Sequence, residues 1–208
     1  SQVTGHRLLR GAIRPGGVTI RALPDPQRLR SIAADLAEVT HLTLAHTVVH
    51  DRFAGTSVLP AEDAQALGCL GYVARASGVR TDARVEHPST ELPVVEAGST
   101  AGDVLARYQV RRDEFANSVE LACTLVETHR GGLDWTISLP RGRGAGVGIA
   151  EGWRGTIVHR VEVDADGRFT RSKVVDPSWF NWPAVPVAMT DTIVVSGGVA
   201  VAGYAMPP

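Results

Sequence analysis

The chain has 208 residues, of which 44% are hydrophobic and 21% are charged, so it can bury a core as one large domain. Its formal net charge of −1 gives no electrostatic reason to expect binding to nucleic acid or to an anionic membrane surface. Cys69 and Cys123 form no CxxC pair, which excludes a structural zinc or an iron–sulfur cluster built on cysteines within this chain. We expect two buried, reduced thiols in a cytosolic protein rather than one disulfide.

The first half of the chain is predicted to be largely helical. Asp25 followed by Pro26 predicts a helix start, with an N-cap residue and a proline at the first helical position. Apolar residues at helical spacing extend this first helix to about His50. A second, shorter helix is predicted after Pro60, and Gly68 suits its C-terminal cap.

The second half is predicted to combine a long helix with a β-hairpin. A long loop is expected over residues 86–101, followed by a helix from Asp103 to about His129. The glycine-rich stretch "PRGRGAGVG" is interpreted as a flexible connector, because it lacks the spacing of a phosphate-binding loop. Residues 154–164 and 168–175 predict a hairpin around "DADG", and three prolines predict an irregular segment in "DPSWFNWPAVP".

These elements together predict an α+β fold that is mainly helical, with long packed helices and a C-terminal β-hairpin module. We expect one domain overall. Its parts are a helical scaffold (1–150), the hairpin with the proline-rich module (151–188) and an apolar tail to which no role is assigned (189–208).

The long helix carries a polar stripe in addition to its solvent face. The stripe continues into leucines two turns later, which indicates that protein covers it, and covered arginines need carboxylate partners. Its members are Asp103, Arg107, Arg111, Glu114 and Ser118. On the pattern alone, two interpretations stay open: flank charges whose long side chains reach water, or a buried ion-pair network that fixes the helix to a neighbour.

Two other segments hold charged or metal-binding residue types. In "RASGVRTDAR", Arg75, Asp82 and Arg84 cluster around a turn, an arrangement that a charged surface turn would also produce. In "HTVVH", His46 and His50 could form a metal pair on one helical face. Because the sequence offers no evident third ligand, a packed or solvated histidine pair is favoured.

The segment "EGWRGTIV" (151–158) places a guanidinium at a turn between glycines, immediately before a predicted strand. Glycines at such a turn let the backbone pass close to a neighbour or adopt positive φ. We therefore expect Arg154 to line a cavity beside the entrance of the hairpin.

Taken together, these stretches resemble the large catalytic subunits of membrane-associated nickel–iron hydrogenases, most closely the formate hydrogenlyase type. The homologous 49-kDa-type subunit of respiratory NADH–quinone oxidoreductase shares that scaffold. The matching motifs occur in family order, cover most of residues 1 to about 188 and are specific in combination. They are "TGHRLLRGAIRPGGV" (4–18), "GYVARASGVRTDAR" (71–84), "GDVLARYQVRRDEFANS" (102–118), "EGWRG" (151–155) and "DPSWFNWP" (176–183).

The resemblance implies roles for several of these residues. Arg154 would be the arginine that lies over the bimetallic centre in the hydrogenase members, with Glu151 as the second site residue. A fixed guanidinium suits electrostatic stabilisation or guidance of a bound small species. A supporting polar network would consist of Arg75, Asp82, Arg107, Arg111 and Glu114. The covered interpretation of the stripe is therefore favoured, and we expect Arg111 and Glu114 to be buried and paired with charges of residues 75–84.

The chain also departs from the hydrogenase pattern at the metal ligands. Those enzymes hold nickel and iron through two CxxC pairs, and neither pair is present in this sequence. Cys69 and Cys123 do not fall at ligand positions. We therefore assign this chain no metal ligand and no cofactor-binding residue, and keep quinone and NAD binding as family-level expectations.

The resulting hypothesis is a piece of the large subunit of a hydrogenase-like or NADH–quinone oxidoreductase-like complex, inactive as an isolated chain. Its partners would be an iron–sulfur small subunit and membrane subunits. The alternative is a non-catalytic, degenerate paralogue or interaction module of such a complex. Since neither a signal peptide nor a membrane span is predicted, we expect a cytoplasmic location, peripheral to the inner face of the membrane.

Overall fold

The computed structural model describes residues 3–138, 142–190 and 192. Within these residues the chain forms eight helices and six strands. The helices are α1 (Pro26–Ala45), α2 (Thr47–Phe53), α3 (Ala61–Ala66), α4 (Gly71–Ala76), α5 (Ala83–Glu86), α6 (Val104–Thr128), α7 (Ser178–Asn181) and α8 (Ala184–Ala188). The strands are β1 (Ile13–Arg14), β2 (Gly17–Thr19), β3 (Asp134–Thr136), β4 (Gly144–Gly152), β5 (Gly155–Val163) and β6 (Phe169–Val175). The predicted α+β class is confirmed.

The two long helices begin where local capping chemistry predicts. The Asp25 side chain accepts a hydrogen bond from Gln27 N at 3.0 Å at the start of α1. Asp103 accepts from Ala106 N at 2.7 Å at the start of α6. These carboxylates satisfy amide groups that have no partner inside the helix.

The predicted end of the first helix was wrong. The chain leaves the helical conformation at His46 and resumes as α2, rather than continuing to about His50. The change of direction brings Phe53, at the end of α2, to Tyr108 on α6, with ring centroids 5.6 Å apart. This tertiary contact accompanies a break that no glycine or proline marks.

The core lies where α4 packs against α6, with α3, α8 and the segment before α6 around it. Every residue of α4 is buried. The largest buried apolar side chains of the cluster are Leu59, Tyr72, Val73 and Val110. Burying one such aliphatic side chain stabilises the fold by about 1.5–3 kcal/mol. The centre of the molecule is therefore the short helix α4, which the sequence analysis did not predict as a separate element.

The strands form two antiparallel three-stranded sheets, β1-β2-β3 and β4-β5-β6. The predicted hairpin around "DADG" is confirmed by the pairing of β5 with β6. The interpretation of the glycine-rich stretch as a flexible connector was wrong from Gly144 onward. Gly144–Gly152 is a nine-residue strand, held to β5 by backbone pairing along its whole length.

The proline-rich segment is also more regular than predicted. Pro177 and Pro183 stand immediately before α7 and α8, where the missing amide hydrogen costs no helical hydrogen bond. In the part of the chain that the structure describes, no helix is long and apolar enough to cross a membrane. The predicted apolar tail lies outside the described residues from residue 193 on, and the division into 1–150, 151–188 and 189–208 stays a prediction.

Candidate functional site: a buried charge network beside the Glu151–Gly155 turn

The polar stripe of α6 begins at Asp103, at the N-terminus of the helix. Asp103 caps the helix and also accepts a hydrogen bond from Gly55 N at 2.8 Å. Arg107 is 1% exposed, and its guanidinium donates to the carbonyl oxygens of Gly102 at 2.6 Å and Ser57 at 3.0 Å. The prediction that the stripe is covered is confirmed for Arg107. The acceptors of these two N–H groups are backbone carbonyls, where carboxylates were expected.

Arg75, on α4, is the centre of the charge network. Its side chain is 3% exposed. Nε donates to Glu114 Oε1 on α6, and Nη1 donates to the carbonyl oxygen of Thr81 and to Glu151 Oε1 at 3.2 Å. Asp82 Oδ2 lies 3.6 Å from Nη1. One buried cation therefore joins α4, α6, β4 and the loop before α5.

Glu151, at the end of β4, links the sheet to this network. Its side chain is 4% exposed. While Oε1 accepts from Arg75, Oε2 accepts from Ala83 N and from Thr156 Oγ1, each at 3.0 Å. A buried carboxylate with this many donors is well compensated for the loss of water. Glu151 thus fixes the start of the turn that carries Arg154.

Two other carboxylates of the network have shifted pKa values in opposite directions. Burial alone would raise the pKa of Asp82. The hydrogen bonds from the side chain and backbone of Arg84, at 2.6–3.0 Å, hold that pKa below its ordinary value. For Glu114, burial raises the pKa, and the attraction to Arg75 does not cancel that effect. Glu114 is therefore the network carboxylate that binds a proton more readily than usual.

A small cavity of about 160 Å³ lies against these groups. Its lining includes Arg75, Arg84, Glu114, Ser118, Glu151 and Trp153. At about 30 Å³ per molecule this is room for a few waters, not for a large ligand. Arg154 is not among the residues that line it, so the expected cavity exists beside the turn but faces Trp153 and Glu151.

The turn that carries Arg154 is held by its backbone. The carbonyl oxygen of Arg154 accepts a hydrogen bond from Asn181 Nδ2 at 3.1 Å, while Asn181 Oδ1 accepts from Leu70 N at 2.9 Å. Gly71 and Gly155 both have positive φ and lie against each other. A Cβ at Gly155 would lie 2.8 Å from Gly71 N and from Leu70 Cβ. Only glycine allows this approach of the turn to α4.

The Arg154 side chain is half-buried, and its charge acts on three neighbours. Burial raises the pKa of the Tyr72 hydroxyl, and the charge of Arg154 opposes that rise. Burial lowers the pKa of Arg111, and hydrogen bonds from Ser178 lower the pKa of Asp176; the charge of Arg154 adds to both shifts. The charge of Arg154 therefore reaches Tyr72 on α4, Arg111 on α6 and Asp176 just before α7.

Arg111 differs from the prediction made for it. It is half-buried, and it makes no ion pair with residues 75–84 or with any other residue that the structure describes. Its Cζ atom lies 5.0 Å from the ring centroid of Tyr72 and 5.2 Å from that of Trp153. The helical spacing correctly placed Arg111 on the covered stripe but did not identify its neighbours. Glu114, by contrast, is buried and paired with Arg75 as predicted.

The sequence analysis missed three residues that shape this site. Tyr72 and Trp153 flank Arg111, and Asn181 joins the turn to α4. For Trp153 a signal was available, since it stands beside Arg154 in the glycine-flanked segment. A single asparagine among aromatic residues carries no comparable signal, because its two partners are backbone groups remote in sequence.

The described residues do not fit the nickel–iron centre of the hydrogenases. Cys69 Sγ lies near the carbonyl oxygen of Phe180, whereas Cys123 Sγ lies near that of Pro26, so the two thiols belong to separate parts of the fold. Burial raises the pKa of Cys69 to about 11, which disfavours the thiolate that a metal requires. Among described residues, no group of three or more His, Cys, Asp or Glu side chains is placed to hold a metal ion.

Comparison with protein families decides the affiliation of this chain. Residues 1–134 match the family described as "Respiratory-chain NADH dehydrogenase, 49 Kd subunit". The chain belongs to this family. The match includes α4, the loop to α5 and all of α6, which together supply Arg75, Asp82, Arg107, Arg111 and Glu114.

Individual relatives carry names of the same kind. A subunit of the F(420)H(2) dehydrogenase of Methanosarcina mazei is 28% identical, and the alignment covers 95% of this chain and 59% of that protein. A subunit of the NADH-quinone oxidoreductase of Deinococcus radiodurans is 34% identical over 57% of this chain and 32% of the relative. The chain therefore spans at most about three fifths of the length of these relatives.

A solved structure shares the fold over nearly the whole chain. A chain of the membrane-bound sulfane sulfur reductase, an archaeal respiratory membrane complex, superposes with a TM-score of 0.85 at 20% identity. The superposition covers 99% of this chain and 60% of the other. At this identity the likeness establishes the fold. The β4-β5-β6 sheet, which follows the family match in sequence, is thus part of a known arrangement.

Proposed function

We propose that this chain is part of the large subunit of a respiratory-type oxidoreductase complex, in which it supports electron transfer linked to quinone or hydrogen chemistry. The observation that carries the proposal is the family match over residues 1–134, the segment that builds most of the buried charge network. The named relatives are subunits of NADH-quinone oxidoreductases and of an F(420)H(2) dehydrogenase. The hydrogenase branch enters through the resemblance of the sequence motifs, and the role of Arg154 through "EGWRG".

Within this proposal Arg154 and Glu151 are the site residues. The turn is anchored by Glu151 to the network and by the Arg154 carbonyl group to Asn181, so the guanidinium starts from a fixed backbone position. A preorganised cation stabilises negative charge that develops on a bound small species without reorganisation cost. Arg75, Asp82, Arg107 and Glu114 hold the elements on which the turn rests, and they act as positioning residues.

The partners in this proposal are an iron–sulfur small subunit and membrane subunits, with the chain at the cytoplasmic face and peripheral to the membrane. An anchored, half-buried cation supports redox chemistry when an electron donor lies nearby. In this proposal the iron–sulfur subunit supplies the electrons. Quinone and nicotinamide chemistry would belong to the assembled complex rather than to this chain.

The test uses the chain with an affinity tag in its native cell. We expect it to co-purify from membranes with iron–sulfur clusters, detected by electron paramagnetic resonance, and to support donor-dependent quinone reduction. Arg154→Met should leave assembly intact and lower turnover at least about tenfold, because one preorganised charge is lost. Arg168→Met is the matched control, since the Arg168 side chain is 81% exposed and its loss should change nothing. A tagged chain that purifies without any redox-active partner would refute the proposal.

A second candidate is a non-catalytic relative that keeps the scaffold and serves as an interaction module. The sequence observation in its favour concerns the cysteines, because the hydrogenases hold their metals through two CxxC pairs. This chain holds only Cys69 and Cys123, which occupy separate, buried positions. The same experiment separates the two candidates. If the complex assembles around the tagged chain while Arg154→Met leaves turnover unchanged, the interaction module is the better description.

A further inference from the structure

Arg111 is an unusual arginine in this fold because, among the residues that the structure describes, no oxygen acceptor compensates its partial burial. Arg75, Arg84 and Arg107 each donate to a carboxylate or a backbone carbonyl. The described contacts of Arg111 are instead the two rings of Tyr72 and Trp153, at 5.0 and 5.2 Å. An aromatic face attracts a cation but accepts its N–H groups only weakly. The donors of this guanidinium are thus available to an oxygen from outside the described chain.

The surroundings of Arg111 add positive charge. The Tyr72 hydroxyl lies in the combined field of Arg111, Arg107 and Arg154, in that order of influence. Arg154 also acts directly against the charge of Arg111. The pKa of Arg111 is lowered, first by burial and then by this repulsion, while Tyr72 and Glu114 oppose the shift. A guanidinium in this environment stays cationic at neutral pH, since the ordinary pKa of arginine lies far above neutral.

Access to the guanidinium is available from solvent. Trp153 is 41% exposed and Arg111 is half-buried, whereas Tyr72 is 1% exposed and forms the inner wall. Glu114 lies about one turn further along α6 on the same stripe, and its carboxylate already forms an ion pair with Arg75. The molecule thus presents a cation with one buried aromatic wall, one exposed aromatic wall and a second arginine beside it.

We propose that Arg111, between Tyr72 and Trp153 and beside Arg154, is a binding site for an oxyanion, either a carboxylate or a phosphate group. A half-buried guanidinium that a neighbouring cation repels is stabilised when an anion lies beside it. The planar fork of Arg111 suits two-point binding of such a group. The site is independent of the electron-transfer proposal, because it requires no redox partner.

The experiment measures binding of inorganic phosphate and of acetate to the 208-residue chain by isothermal titration calorimetry at constant ionic strength. Arg111→Gln should weaken binding at least about tenfold, the effect of losing a charged hydrogen-bond donor. Arg112→Gln is the matched control: it removes the same charge from the adjacent residue, which is paired with Asp113 at 2.7 Å. Arg112→Gln should bind like the wild type. Equal weakening by both variants, or binding too weak to detect in the wild type, would overturn the site.

A second measurement keeps the test decisive if Arg111→Gln fails to fold. In the wild-type chain, phosphate should shift the nuclear magnetic resonance signals of the Trp153 indole N–H and of Arg111 Nε–H together. Saturating phosphate that leaves both signals in place contradicts the proposal. Arg111→Lys, which keeps the charge but not the fork, should bind with intermediate affinity.

The source of the oxyanion is identified by comparing acetate and phosphate with a triglutamate peptide. If triglutamate binds at least about tenfold more tightly than acetate and competes with it, the group is a carboxylate on an acidic protein segment. If phosphate or acetate binds as tightly as the peptide, the site takes a free anion. Both results support an oxyanion site, whereas a peptide that binds Arg111→Gln as tightly as the wild type opposes it.

Discussion

The region around α4 and α6 buries charged as well as apolar residues, whereas the β4-β5-β6 sheet leaves most of its residues exposed. In the first region Arg75, Arg107 and Glu114 are buried, and every residue of α4 is inside. In the sheet, seven of the nine residues of β4 and six of the seven of β6 are exposed. The sheet therefore has little core of its own. It depends on the helical region through Glu151 and Gly155, which lie at one end of its strands.

This difference predicts that matched substitutions will have very different effects in the two regions. The largest contrast is expected between Gly71 and Gly167, since both have positive φ, at +61° and +79°. A methyl group at Gly71 would overlap the carbonyl group of Arg154, whereas nothing lies within 4 Å of the corresponding position at Gly167. Gly71→Ala should lower the free energy of unfolding by about 5 kcal/mol or prevent folding, against about 1 kcal/mol for Gly167→Ala. Urea denaturation followed by circular dichroism measures both. Similar losses would mean that the turn does not rest on α4.

The next contrast concerns two arginines that each pair with glutamate. Arg75→Met leaves Glu114 and Glu151 buried without their cation and should cost about 3–5 kcal/mol of unfolding free energy. Arg160 pairs with Glu162 on the sheet at 3.0 Å, but its side chain is 53% exposed. Arg160→Met should therefore cost at most about 1 kcal/mol. The same denaturation measurement applies, and an Arg75→Met protein as stable as Arg160→Met would show that the network contributes no stability.

A smaller contrast is expected for one valine in each region. Val73 on α4 is 0% exposed and Val147 on β4 is 58% exposed. Replacing either with threonine keeps the shape and exchanges one methyl group for a hydroxyl group. Val73→Thr should cost about 1–3 kcal/mol, because the hydroxyl is buried among apolar neighbours. Val147→Thr should stay within about 0.5 kcal/mol of the wild type, as is usual at the surface. Equal midpoints of thermal unfolding would argue that the packing around α4 is loose.

The smallest expected effect is a pH dependence that comes from Glu114. Burial raises its pKa above the ordinary 4.5, so the folded state binds this proton more tightly than the unfolded state does. The free energy of unfolding contributed by Glu114 is present below about pH 4.5 and is lost as pH rises through the raised pKa. Asp82 does not interfere, because its lowered pKa matters only below its ordinary 3.8.

The measurement compares the wild type with Glu114→Gln between about pH 4.5 and 7, the interval above the ordinary pKa of the carboxyl group. The wild type should lose stability relative to the variant as pH rises, and the difference should then become constant. A wild type that gains stability relative to Glu114→Gln over this interval would mean that the attraction to Arg75 outweighs burial.

The parts of the fold that the sequence predicted depend on contacts between near neighbours in the chain. The caps at Asp25 and Asp103 are examples, since each carboxylate accepts from an amide two or three residues away. The turn in "DADG" is another, with Gly167 at positive φ. The strand β4 could not be predicted in the same way. Its alternating glycines offer no side-chain pattern, and its structure comes from backbone pairing with β5.

The candidate site shows the same limit. The spacing of the α6 stripe correctly indicated that Arg107 and Glu114 are covered, because helical periodicity places both on one face. It could not indicate that Arg107 meets carbonyl groups, or that Arg111 lies beside Tyr72 and Trp153. Those neighbours belong to other elements, and only the tertiary fold determines which acceptor or ring lies beside each arginine.

The bond between Arg75 and Glu151 joins residues 76 positions apart, and this has a consequence for biosynthesis. Translation adds about 5–20 residues per second, so Glu151 leaves the ribosome roughly 4–15 s after Arg75. Before Glu151 emerges, Arg75 can reach Thr81, Asp82 and Glu114, but the amide of Ala83 has no Glu151 to bond and Gly71 has no Gly155 to pack against. Part of the buried charge network therefore stays exposed on the emerging chain for several seconds, and this surface is available to a chaperone during that period.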